Sequence, residues 1–378
     1  MTHALTRRSC LQGMAATTAG LALPSTFAAS TDEILIGQSI HLTGPAASSL
    51  VRVLKGQELA IEEFNRKGGV AGRPVRVVTL DDAYDPKRCV ENVNTLIDKE
   101  KVVALYGLGS TANVAATLPL LAEKKVPLVS VYTGAPSLRS THHPYFFTTM
   151  ASYRDEVTKM MQNLATGQRR RLALAVLNNA FGKEMAVMVE EVAKEQGTTI
   201  VATQSIELSG QNAAAACKAL GDTQPDGFIM MAFGPSIVQL VKAARAYIGV
   251  PIYAPTIANS RSAIEALGEE ARGLAFTRIL PNSLRTTSPV TRDYAVAMER
   301  ANLPLDHDHF FGYLNLRVLL EGLRRTGKGV TSQTLVATME RMGNVDLGGY
   351  KLNFGPQNHH GSKYVDLTVI GPGGRYIM

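Results

Sequence analysis

The feature that most narrows the fold is a rhythm of short apolar runs alternating with amphipathic stretches. "ILIGQSI" precedes "VLKGQELAIEEFNRKGG", where Leu54, Ile61 and Phe64 share one helical face, and "RPVRVVTL", "PKRCVENVNTLIDKE", "VVALYG", "ANVAATLPLLAEKK" and "VPLVSVY" continue the pattern. Strands that are apolar throughout must be covered on both faces, which a parallel sheet between two helix layers achieves. The rhythm restarts after "YFFTTMASYRDE" with "RRLALAVLNN", "KEMAVMVEEVAKEQG", "TTIVATQSI", "NAAAACKALGD", "DGFIMMAFG", "SIVQLVKAARAYIG" and "VPIYAPT". Three helix-like segments and a strand-rich tail follow "GLAFTRIL" without continuing the alternation, so the chain is expected to cross back between lobes. The expectation is an α/β protein with two doubly wound parallel-sheet lobes, residues 31–150 with 280–348 in one and 151–279 with 349–378 in the other. A chain of 378 residues that is 45% hydrophobic can fill two such cores.

Residues 1–30 stand apart. They have a basic start, an apolar middle from Met14 to Leu23, and small residues near Ala28 and Ala29 suited to a signal peptidase. The apolar run is too short for a membrane span, and "TRRSCLQ" around Arg7 and Arg8 resembles a twin-arginine export signal. Cys10 follows "TRRS" rather than an apolar segment, which argues against a lipid anchor. The mature chain is expected to be a soluble periplasmic protein.

Removing Arg7 and Arg8 takes the formal charge from +7 to +5. The remaining charge is scattered, as in "EEFNRKGG" and "EEVAKEQG", without the basic, aromatic-rich stripe that nucleic-acid binding requires. Cys89 and Cys217 are expected to be buried thiols rather than a bridge.

"ALYGLGSTANVAA" places Gly107, Gly109 and Ala112 as GxGxxA, the spacing of a dinucleotide-binding turn. Such a site needs an acidic residue at the end of the next strand, about 20 residues on. That strand ends in Tyr132, Thr133 and Gly134, so no nucleotide cofactor is expected. There is no GxSxG, HExxH or GxxxxGK[ST] motif, and no catalytic residue is assigned. "LDHDHFFG" offers His307 and His309 beside Asp306 and Asp308, and "NHHG" offers His359 and His360. Both read as polar loops before they read as metal sites, because neighbouring loop side chains seldom converge on one ion. What remains is polar loops at strand ends. Ser110 and Thr111 precede a helix, either as plain caps or as an anion cradle with the helix N-terminus.

The segments "GQSIHLTGP", "AIEEFNRKGGVAGRPVRVVTLDDAYDPKR", "TGAPSLR", "ASYRDE", "NNAFGKE" and "FGP" together resemble the leucine/isoleucine/valine-binding protein family, the type 1 periplasmic solute-binding proteins of ABC importers. The resemblance implies two lobes joined by a three-strand hinge that close on a small solute, with no catalysis and no cofactor. It places Ser110 and Thr111 at the solute carboxylate and Tyr132, Thr133 and Gly134 in a second contact loop, with Gly134 where the family often carries threonine. Phe181 matches an aromatic that packs on the ligand, and Phe233 and Gly234 match a further loop. Two departures stand out: Thr256 replaces the acid that pairs the ligand ammonium, and Ser49 replaces a bulky aromatic wall. The solute expected from these departures is a small carboxylate or amide-like molecule without a free α-ammonium, an aromatic acid being one candidate. Partners implied are the permease subunits, with the protein itself a monomer. The alternatives are a ligand-sensing protein that presents its solute to a membrane signalling partner, and an exported α/β enzyme.

Overall fold

In the computed structural model, which describes residues 33–44 and 47–377, the alternation becomes two open sheets. The signal-like segment with Arg7, Arg8 and Cys10 lies outside the described residues. The first part runs β1 (Ile34–Ile40), α1 (Val51–Arg66), β2 (Val75–Asp81), α2 (Pro86–Asp98), β3 (Ala104–Leu108), α3 (Thr111–Lys124), β4 (Leu128–Val131) and β5 (Phe146–Phe147). The second runs α4 (Tyr153–Thr166), β6 (Arg171–Leu177), α5 (Ala180–Glu195), β7 (Thr199–Ile206), α6 (Ala213–Gly221), β8 (Gly227–Met231), α7 (Ser236–Tyr247), β9 (Ile252–Ala254), α8 (Arg261–Leu267) and β10 (Ala275–Arg278). The remainder is α9 (Pro289–Arg300), α10 (His307–Thr326), α11 (Ser332–Glu340), β11 (Gly343–Asp346), β12 (Lys351–Phe354), β13 (Asp366–Ile370) and β14 (Tyr376–Ile377).

The first sheet has the order β2-β1-β3-β4-β5, all parallel. The second has the order β14-β13-β10-β9-β8-β6-β7, parallel from β10 to β7 with β13 and β14 added antiparallel at one edge. Both parallel parts wind in the same order, so each has its switch point beside its first strand, where open sheets bind ligands. Local signals set the helix starts: Asp85 caps α2 ahead of Pro86, and Ser152 and Asp155 form a reciprocal cap at α4.

The chain passes between the sheets three times, after β5, after β10 and after β12. The first and third passages pair with each other: Thr148 N–H donates to His359 O at 2.9 Å and Gly361 N–H to Thr148 O at 2.8 Å. The Tyr350 hydroxyl adds a bond to Thr149 O at 2.5 Å. After the second passage α9, α10 and α11 cover the outer face of the first sheet, and Tyr350, Leu352 and Phe354 pack in the same core as Ile34 and Ile36. Cys89 and Cys217 are free and buried, as expected.

Helices α1 and α10 approach unusually closely because glycines meet backbone at their crossing. A Cβ on Gly56 would lie 1.9 Å from His309 O, and one on Gly312 would lie 1.9 Å from Val53 O. Gly312→Ala is therefore expected to force the helices apart and to lower stability by about 1–3 kcal/mol, despite alanine's better helix propensity. Urea unfolding of the variant checks this, and an unchanged midpoint would refute the tight crossing.

Candidate functional site

The carboxyl ends of both sheets face a shared cavity of about 120 Å³. From the first sheet come His41 after β1, Tyr84 after β2, Gly109 after β3 and Tyr132 after β4. From the second come Phe233 and Gly234 after β8 and the segment from Thr256 to Ser260 after β9. Leu50 and Val53 from the α1 region, Met150, and Asp308 and Phe311 of α10 complete much of the wall. Tyr132 is fixed through its hydroxyl, which accepts from Gln57 Nε2 and pairs with the Tyr106 hydroxyl at 3.1 Å, and its ring lies 5.3 Å from that of Phe311.

The residues expected from the sequence fall into two groups. Tyr132, Phe233, Gly234 and Thr256 line the cavity itself. Phe181 stands behind it, edge-on to Tyr153 and Phe233 with ring centroids 5.6 Å away in each case. Ser110 and Thr111 start α3, one as its cap and the other as its first residue. The Ser110 hydroxyl accepts from Asn113 N–H at 3.0 Å and donates to Asn113 Oδ1 at 2.8 Å, while the Thr111 and Thr133 hydroxyls bond each other at 2.8 Å. Gly134 leaves room for the backbone of Tyr153, whose N–H donates to Gly134 O at 2.8 Å; a Cβ there would lie 2.8 Å from that nitrogen. Ser49 belongs to the short turn Ala47–Ser49, and its side chain lies outside what is described. In the GxGxxA stretch, Gly109 admits the His41 ring, since a Cβ would lie 2.8 Å from His41 Nδ1.

The expectation that the pocket lacks an acid is corrected by the structure. Thr256 carries no carboxyl, but its N–H donates at 2.7 Å to Oε2 of Glu156, a fully buried residue of α4 that also lines the cavity and receives the Thr277 hydroxyl. Burial raises the pKa of this carboxyl. A second carboxyl, Asp308, accepts from Arg261 N–H at 3.1 Å; burial and then the charge of Asp306 push its pKa up to about 7. An acid is thus supplied from two elements distant in sequence from Thr256, and the argument against an ammonium group on the solute falls.

The "LDHDHFFG" stretch also differs from the expected loop. Asp306 caps α10, its Oδ1 accepting from the N–H groups of Asp308 at 2.7 Å and His309 at 3.3 Å, and His307, Asp308 and His309 form the first helical turn. Burial would raise the Asp306 carboxyl, but these bonds and the nearby His309 bring it to about 2. Arg52 bonds Asp306 Oδ2 at 3.0 Å and reaches Glu265 of α8 at 3.5 Å. Burial lowers His307 to about 4 and lowers His41 as well, so both rings are neutral at pH 7. His359 stacks on Phe147 at 3.8 Å and bonds His143 O at 3.0 Å, a packing role. Among the described residues no group of three or more His, Cys, Asp or Glu is arranged to hold a metal ion.

Three buried polar atoms of cavity-lining residues have no hydrogen-bond partner among the described residues: His41 Nδ1, Asn259 Nδ2 and His307 Nε2. Sequence reasoning missed Asn259, Glu156 and His41. A polar residue directly following a parallel strand was the available signal for His41 and, one turn later, for Asn259; Glu156 had none.

Comparison with known proteins agrees with this geometry. The sequence profile of the family described as "Periplasmic binding protein" matches residues 33–375. The "Leu/Ile/Val-binding protein homolog 3" of Brucella melitensis is 24% identical over 300 residues, covering 78% of this chain and 80% of that protein. The Leu/Ile/Val-binding protein of Escherichia coli K12 is 22% identical over 270 residues, covering 71% and 73%. An extracellular ligand-binding receptor from Verminephrobacter eiseniae superposes with a TM-score of 0.85 at 25% identity, over 92% of this chain and 100% of that one. A branched-chain amino acid ABC transporter protein from Thermus thermophilus with bound valine superposes with a TM-score of 0.83 at 17% identity, over 92% and 95%, a likeness of fold.

The raised Asp308 carboxyl makes the folded chain bind a proton that the unfolded chain releases near pH 4. Its stability contribution is present below about pH 4 and is lost as pH rises through about 7. His307, with its lowered pKa, acts in the opposite sense, but only below its unfolded value of 6.5. Asp308→Asn is therefore expected to gain on the wild type in urea midpoint between pH 6 and pH 8; a gap that does not widen would contradict the assignment.

Proposed function

This chain belongs to the periplasmic binding protein family, and from that premise we propose that it is the solute receptor of an ABC importer, closing its lobes over a small solute with an apolar or aromatic body. The family consists of solute-binding proteins rather than enzymes, and no helix among the described residues is long and apolar enough to cross a membrane. The observation that carries the reading is the cavity at the strand ends of both sheets, walled by Tyr84, Tyr132, Tyr153, Phe233 and Phe311 and lined, among the described residues, by no lysine or arginine. A solute carboxylate there is held by neutral donors: His41 and the α3 N-terminus at Ser110 and Thr111. Donors on the solute are met by Glu156 and Asp308. This suits a carboxylate-bearing or amide-like molecule, amino-acid-like or an aromatic acid, and the names of the relatives favour the amino-acid-like end of that range.

We divide the lobes at residues 31–150 with 280–348 and 151–279 with 349–378, but move the last passage to between Phe354 and Asp366, because β12 packs with the first core. Thr133, Gly134 and Phe181 support the contact residues from behind, and Ser49 is kept as a contact on the family resemblance alone. Residues 1–30 act as a cleaved twin-arginine signal delivering a monomer to the periplasm, where the closed form docks on the permease.

A thermal-shift screen of small carboxylates and amino acids tests this. A true solute at a hundred times its dissociation constant adds about 2.7 kcal/mol of stability and is recovered unchanged. In the double variant Ser110→Ala, Thr111→Ala, affinity should fall on the order of tenfold, with about 1 kcal/mol of stability lost through the helix cap. A screen without any stabilising solute, and native mass spectrometry showing none carried through purification, would overturn the receptor reading.

A further inference from the structure

Asn259 follows the short turn Thr256–Ala258 and is only 2% exposed. Its Oδ1 accepts from the Tyr376 hydroxyl at 2.8 Å, which orients the side-chain amide and leaves Nδ2 as a buried donor at the cavity without a partner among the described residues. Asp308 lies beside it, because its Oδ2 takes the N–H of Arg261, two residues further along the chain. The cavity therefore presents one fixed donor and one fixed acceptor, contributed by different lobes. We propose that Asn259 and Asp308 act as a specificity pair that reads a primary carboxamide, or the equivalent N–H and C=O of a urea, on the bound solute.

The alternatives satisfy only half of the pair. An ammonium group has donors alone, so it meets Asp308 and leaves Asn259 Nδ2 unmet. A carboxylate has acceptors alone, so it meets Asn259 but, wherever Asp308 is ionised, sets its charge against that carboxylate. A carboxamide gives its N–H to Asp308 and receives the Asn259 donor on its oxygen, which leaves neither buried group unpaired. A site built to pair both atoms discriminates strongly against a ligand that lacks one of them.

The inference rests on the reading of the cavity as a solute site, and the test separates the two. Isothermal titration would compare matched series that differ only in one group: benzamide, benzoate and acetophenone; succinamate, succinate and levulinate; glutamine and glutamate. In the wild type, titrated on the alkaline side of pH 7 so that Asp308 is ionised, the carboxamide of a binding series should bind about tenfold or more tighter than its carboxylate. Asp308→Asn, which keeps shape and an acceptor while removing the charge, should bring the two within about threefold by admitting the carboxylate. Asn259→Ala, with Asn259→Ser as a second variant should the first fold poorly, should weaken the carboxamide and the ketone by similar factors, since both offer a carbonyl oxygen to Nδ2. A carboxylate that outbinds its carboxamide in the wild type, or a ratio that Asp308→Asn leaves unaltered, overturns the pair while leaving the receptor reading intact. No binding in any series, with no other solute found, overturns both.

Discussion

The crossing of α1 and α10 is the contact on which the rest of the site depends. Only hydrogen on Gly56 and Gly312 lets each helix press on the other's backbone, at His309 O and Val53 O. That approach sets the height and rotation of the α10 N-terminus and hence the positions of Asp308 and Phe311. The same contact brings Val53 to the cavity wall and Arg52 within reach of Asp306, so one packing detail orders both apolar and charged lining. Interiors packed this tightly transmit small shifts, since neither helix can move without the other.

The site joins recognition to closure. Asp308 belongs to a helix that covers the first sheet, and its hydrogen bond goes to Arg261 at the start of α8, beside the second. Arg52 reaches Glu265 in the same direction, and Tyr84 meets Phe233 with ring centroids 6.2 Å apart. These contacts all run across the cavity. A ligand that engaged Asp308 from within the cavity would act on a group that also bonds across it, and could shift the arrangement only by as much as its affinity differs between two states.

The fold was legible because the strands are short, apolar and regularly spaced, and the periodicity of the intervening segments leaves little choice beyond helix. The capping role of Ser110 was legible for the same local reason. What the sequence concealed depends on distance along the chain. Glu156 looks like any acid in the first turn of a helix, and only the approach of Thr256 and Thr277, 100 and 121 residues away, buries it at the cavity. Asp308 was visible as part of a His and Asp cluster, yet its meaning changes once Asp306 is seen to cap α10 and turn its neighbours inward. Helix α8, seven residues long, offered too few turns for its period to register, and with it Asn259 passed unnoticed.

The pairing of the first and third passages has a mechanical consequence. Three separate strands joining two bodies would leave twist, bend and slide all available. Backbone bonds between Thr148 and the segment from His359 to Gly361 fuse two of them into a single ribbon. The lobes are then held at two joints, the ribbon and the passage after β10, and two joints define a line. Rotation about that line would preserve the ribbon's bonds, whereas twisting across it would break them, so the two joints favour one axis of relative movement over all others.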